Sequence, residues 1–172
     1  MASLTVRPAC PEDAALLLGL FGELAEYEHL EHELKATEAQ LREALFGERP
    51  AAEALIAERA ASVGDPETKA EPLGYALFFP TFSSFLASAG VWLEDLFVRE
   101  EHRGGGVGRA LLGAVAARVQ EHGGERLEWA ALDWNEPALG FYRRIGAQTM
   151  EEWITHRLDG EALARVAAEG RR

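Results

Sequence analysis

The chain has 172 residues, 48% of them apolar and 27% charged, the balance of one globular domain with a sizeable core. Its net charge of −12 argues against a nucleic-acid partner, because binding to phosphates requires a basic face. No apolar run approaches the roughly 20 residues of a membrane span, and Met1–Arg7 lacks the basic start and apolar stretch of a signal peptide. A single cysteine, Cys10, forms no internal disulfide, so a cytoplasmic location without a membrane partner is expected.

In chain order, Leu4 and Val6 alternate with Thr5 and Arg7, the pattern of a half-buried strand. Pro8 and Pro11 open a long amphipathic helix with Leu16, Leu17, Leu20, Leu24 and Tyr27 on one side. Thr37-Glu38-Ala39-Gln40 has the capping-box form and starts a second helix, which Gly47 and Pro50 end. Leu55-Ile56-Ala57 reads as a strand, then comes a polar excursion through Gly64, Asp65, Pro66 and Lys69. Strands follow over Leu73 to Phe79 and Trp92 to Val98, separated by a bend rich in Ser and Phe.

A helix to about His122 follows Gly108, with Val107, Leu111, Ala114, Val115 and Val119 as its apolar stripe. Leu127 to Leu132 is the next strand; Asn135 caps a short helix with Pro137 in its first turn, and Gly146 closes it. Trp153 to Leu158 reads as a last strand and Gly160 to Glu169 as a final helix. The order predicts an α/β fold: one mixed sheet with helices on both faces.

Arg103-Gly104-Gly105-Gly106-Val107-Gly108 lies between a strand end and a helix start. A helix N-terminus presents unpaired N–H groups and partial positive charge, and glycines let an anion approach the main chain. The segment is no Walker loop: the chain has only two lysines, Lys35 and Lys69. It is no dinucleotide fingerprint either, because Arg109 stands where the third glycine belongs.

The segment resembles the acyl-coenzyme A loop of the GNAT acetyltransferases, Arg/Gln-x-x-Gly-x-Gly/Ala, through Arg103, Gly106 and Gly108. Leu93-Glu94-Asp95-Leu96-Phe97-Val98, Asp133-Trp134-Asn135-Glu136-Pro137 and Phe141-Tyr142 extend the likeness. Within that superfamily the chain is similar to the diamine (spermidine/spermine) and thialysine N-acetyltransferases, from Val6-Arg7-Pro8-Ala9 through Glu23–Glu28 to Gly146-Ala147 and Trp153. The resemblance implies a single-domain GNAT fold with a mostly antiparallel sheet. It also implies acetyl-CoA as co-substrate, no metal, a small-molecule amine as acceptor and a homodimer.

It further implies roles for residues. The turn from Arg103 through Gly104, Gly105, Gly106, Val107 and Gly108 to Arg109 would hold the pyrophosphate. The main chain of Leu96, Phe97 and Val98 would bind the pantetheine arm, with Asn135 touching the cofactor as well as capping its helix. Tyr142 would protonate the departing thiolate and Glu94 would be the base. Alternation places Glu94 with Leu96 and Val98, and Asp95 with Leu93 and Phe97, and by itself leaves the choice between the two carboxylates open. Tyr27, Glu28, Glu94 and Trp153 would line the acceptor site. A second acid of the diamine branch is missing from Thr81-Phe82-Ser83-Ser84-Phe85; Ser83 and Leu132–Asn135 are closer to the thialysine branch. Cys10, beside Glu12 and Asp13, lacks the electropositive setting of a nucleophile, and the five histidines show no convincing metal-ligand spacing. Two alternatives share the cofactor: a protein or peptide acetyltransferase, and a non-catalytic binding module.

Overall fold

The computed structural model describes residues 3–60 and 70–171; the polar excursion through Gly64, Asp65, Pro66 and Lys69 lies outside them. The chain divides into two compact units, Met1–Ala130 and Ala131–Arg172. The first holds β1 (Leu4–Pro8), α1 (Ala14–Glu28), α2 (Glu38–Phe46), β2 (Glu53–Arg59), β3 (Glu71–Ser83), β4 (Ser88–Val98), α3 (Val107–Glu121) and β5 (Arg126–Trp129). The strands lie in sequence order, β1 to β4 antiparallel and β5 parallel to β4, the mixed, mostly antiparallel sheet that the resemblance implied.

Local chemistry sets the helix limits. Pro11 leads a short 3-10 turn into α1, and His29, at φ 59, stops it by sending its N–H back to the carbonyl of Glu26. Thr37 caps α2 reciprocally with Gln40, Oγ1 accepting the Gln40 N–H at 3.3 Å and Oε1 accepting the Thr37 N–H at 3.0 Å.

The sheet is covered on both faces. Leu17 and Leu20 of α1 and Leu41 and Leu45 of α2 pack on Ala54, Ile56, Tyr75 and Phe97. Strand alternation turns Leu55, Ala57, Ala76, Phe78 and Leu93 to the other face, where α3 buries Leu111, Val115 and Val119. Each fully buried large apolar side chain contributes about 1.5–3 kcal/mol, so these two layers hold the sheet in place.

Two irregularities shape the centre. At Gly74 a Cβ would stand 2.2 Å from the carbonyl oxygen of Phe97, so only glycine lets β3 and β4 approach this closely. Gly74→Ala is expected to lower the melting temperature by about 5 °C, from overpacking of 1–3 kcal/mol; an unchanged melt would contradict the close approach. The second is a bulge in β4: Leu77 pairs with Asp95 and Phe78 with Leu93, leaving Glu94 as the extra residue.

The second unit holds α4 (Glu136–Arg144) and α5 (Gly160–Glu169). Asn135 Oδ1 caps α4 by accepting the Ala138 N–H at 3.3 Å. Trp153 to Leu158, expected as a strand, is neither strand nor helix, and Trp153, Ile154 and Leu158 are exposed. Alternation and β-propensity make a segment fit for a strand, but a strand exists only where a neighbour supplies the ladder. None does so here among the described residues.

Candidate active site

β5 accompanies β4 only from Gly90 to Leu93. Beyond that point β4 keeps β3 on one side, and among the described residues no strand pairs with its other main-chain edge from Glu94 to Val98. Leu96, Phe97 and Val98 lie on that edge, with the Phe97 side chain buried. The Val98 carbonyl is engaged by Arg103, whose Nε–H donates to it at 2.9 Å.

The glycine turn begins at Arg103, five residues past Val98. Gly104 and Gly106 have φ of 77° and 88°, left-handed values that side chains rarely adopt. Gly106 is the N-cap of α3 and brings no capping side chain, so the first N–H groups of the helix have no side-chain acceptor there. A Cβ at Gly104 or Gly106 would meet nothing within 4 Å: the space above the turn is open to an anion. Val107 is buried and pins the helix start to the core, leaving its main chain for any ligand, while Arg109 is exposed in the first turn. Gly105 has room for a Cβ in ordinary contact, and so has Gly108, 3.6 Å from Val98 Cγ2.

Helix α1 is fastened to the segment leading into this turn. Arg99 forms a two-pronged ion pair with Glu23, at 2.8 and 2.5 Å, and donates to the carbonyl of Pro72. The Arg103 guanidinium lies 4.5 Å above the Tyr27 ring. Tyr27 and Glu28, both half-buried, form the last turn of α1.

Beside them the sheet presents an acidic cluster. The bulge at Glu94 breaks simple alternation: Asp95 joins Phe97 on the α1 face, while Leu93 faces α3. The expectation that Leu93 and Asp95 share a face is therefore corrected, because one extra residue reverses the phase. The Tyr75 hydroxyl donates to Asp95 Oδ2 at 3.1 Å. Burial pushes the Asp95 carboxyl up to about 6, the Tyr75 hydrogen bond opposes this, and the charges of Glu94 and Glu28 add to it. Burial also raises Glu28. Glu94 is exposed, with Oε2 accepting the Trp92 Nε1–H at 2.9 Å. Such a cluster favours a positive guest, which would relieve both burial of charge and like-charge repulsion.

Asp95 is one of the two carboxylates read from the sequence, but its partner Tyr75 is not singled out there. Tyr75 reads as an ordinary interior strand residue, and only the register joins it to Asp95. Ser83 is buried and accepts the Leu86 N–H at 3.3 Å, while Phe85 is 97% exposed. Cys10 donates to Asp13 Oδ2 at 3.2 Å, and that bond holds its thiol above the usual range, against a nucleophilic role. Tyr142, Asn135 and Trp153 belong to the second unit: Tyr142 is half-buried with its ring 5.3 Å from that of Phe141, and Trp153 is exposed.

The chain is similar to known proteins along nearly its whole length. The model of the acetyltransferase (GNAT) family matches residues 23–147, from the Glu23 that holds Arg99 to just beyond α4. The thialysine N-epsilon-acetyltransferase of Bos taurus is 36% identical, over 98% of this chain and all of that protein. An L-ornithine N5-acetyltransferase of Arabidopsis thaliana is 33% identical, over 94% of this chain and 86% of its own. Among solved structures, an integron cassette protein from the mobile metagenome of V. cholerae superposes with a TM-score of 0.76 at 26% identity, covering 97% of this chain and 99% of its own. An opened β4 edge, an uncapped glycine turn before α3 and full-length likeness to amine acetyltransferases agree: the chain belongs to the GNAT acetyltransferase family and is an N-acetyltransferase.

Proposed function

We propose that the chain, acting as one catalytic domain, transfers the acetyl group of acetyl-CoA directly onto the side-chain amine of a small cationic substrate of the thialysine, lysine or ornithine kind. The observation that carries the acceptor class is the cluster of Glu28, Asp95 and Glu94, where the charges acting on Asp95 are both negative. An ammonium supplies the missing positive charge. The opened edge and the uncapped turn carry the donor reading, since main-chain amides there suit a pantetheine arm and a pyrophosphate. The names of the relatives point the same way.

When bound, acetyl-CoA supplies a thioester activated toward nucleophiles. An alkyl amine has a pKa near 10.4, so its neutral form at pH 7 costs about 4–5 kcal/mol. Glu94, directly or through water, takes the ammonium proton. The amine lone pair then forms the C–N bond to the acetyl carbon. An N–H among Leu96, Phe97 and Val98 steadies the negative oxygen. As the C–S bond breaks, Tyr142 gives its proton to the leaving sulfur, and the second proton shed by the new amide nitrogen restores the phenol, while Glu94 returns its proton to solvent. Tyr27 and Trp153 complete the amine site, and Asn135 joins the cofactor contacts. We further propose a homodimer, which sedimentation would verify, and a cytoplasmic setting.

The test is thiol release from acetyl-CoA with a panel of thialysine, lysine, ornithine, putrescine, spermidine and a basic peptide. The amino acids are expected to react with the highest kcat/KM, because the second acid suited to longer polyamines is absent at Ser83-Ser84-Phe85. Preference for the peptide would replace this reading with protein acetylation, and silence toward every amine despite CoA binding would leave a non-catalytic module. Glu94→Gln should lower kcat/KM by about 100-fold at pH 7 and move the rate profile to higher pH, where more amine is already neutral. A profile superimposable on wild type would place the base elsewhere.

A further inference from the structure

We propose that Tyr75 is a positioning residue for the acceptor site: its phenol, beneath the site, holds the Asp95 carboxylate oriented toward the incoming ammonium and thereby sets affinity for the amine. The inference rests on reading the Glu28, Asp95 and Glu94 cluster as the ammonium seat.

Tyr75 is fully buried, with ring centroids 4.9 Å from Phe21 and 6.1 Å from Phe97. An aromatic ring at this place serves packing, yet packing does not require the hydroxyl. A phenylalanine would fill the same volume without a polar group to satisfy. The hydroxyl instead donates to Asp95 Oδ2 at 3.1 Å. The groups facing Asp95 are Glu28 from α1, Tyr75 from β3 and Glu94 from its own strand. Two of these are acids that oppose ionisation of Asp95; Tyr75 is the one that favours it, by hydrogen-bonding the charged form. The phenol does not itself ionise near neutrality, since burial and the neighbouring acids push it well above its ordinary range. It is a fixed donor.

Removing the hydroxyl takes away the one favourable interaction, so the Asp95 carboxyl rises further above about 6 and is more protonated at pH 7. A protonated Asp95 cannot neutralise an ammonium.

The experiment measures the KM of thialysine from pH 5.5 to 8 in wild type, Tyr75→Phe, Asp95→Asn and the double variant. An alkyl amine stays overwhelmingly protonated across this range, so changes in KM report on the protein. In wild type, KM should climb as pH falls through about 6. In Tyr75→Phe the climb should begin roughly 0.5–1 pH unit higher, with KM at pH 7 raised about three- to tenfold. CoA affinity, measured by calorimetry, serves as the check on folding. Asp95→Asn should raise KM and flatten its pH dependence, with Tyr75→Phe adding nothing on top. Superimposable KM profiles for wild type and Tyr75→Phe, alongside an impaired Asp95→Asn, would overturn the role of Tyr75 alone. An Asp95→Asn enzyme with wild-type KM would overturn the ammonium seat itself.

Discussion

Tyr142→Phe is expected to lower kcat by about 100-fold or more, the usual worth of a placed proton donor, while CoA affinity stays within about twofold. A thiol pKa lies above neutrality, at about 8.5, so a donor that protonates the sulfur as the C–S bond breaks neutralises its developing charge and speeds expulsion. The substitution removes only the hydroxyl, and the ring keeps its place beside Phe141 in α4. The loss should therefore fall on turnover and spare binding. Stopped assays of thiol release, paired with calorimetric titration of CoA, separate the two. Unchanged kcat would remove Tyr142 from the mechanism.

The second large effect belongs to the glycine turn. Gly106 has φ of 88° and is the N-cap of α3, with open space where a Cβ would stand. Gly106→Val forces a β-branched residue into the left-handed region, a strain of about 1–3 kcal/mol. Either the turn keeps its shape and the side chain fills the space proposed for the anion, or the turn rearranges and the first N–H groups of α3 shift away. Both routes predict CoA binding weakened at least about tenfold. Gly113→Ala, an exposed mid-helix change meeting nothing within 4 Å, is the control and should bind CoA like wild type. Equal affinities in the two variants would show that the turn is not the anion site.

Much of this architecture is legible in the sequence because it is local. The Thr37 and Asn135 caps, the Leu17 and Leu20 stripe of α1 and the glycines before α3 act through neighbours a few residues away. The bulge at Glu94 is different in kind. It exists only in the register between β3 and β4, and it decides that Asp95 meets Tyr75 some twenty residues upstream. Period-two counting cannot see a residue that belongs to no pair. The segment from Trp153 to Leu158 errs in the opposite direction: its pattern suits a strand, but the sheet runs from β1 to β5 without it. Pairing is a property of two segments, and either one alone is silent about it.

Main-chain amides from Gly104 to Gly108 are proposed to grip the pyrophosphate of CoA. Isothermal titration of CoA into the folded enzyme tests this grip most directly. A saturable, single-site heat that is lost on switching to pantetheine, which lacks the pyrophosphate, is the predicted result. No heat with CoA, or equal binding of CoA and pantetheine, would contradict it.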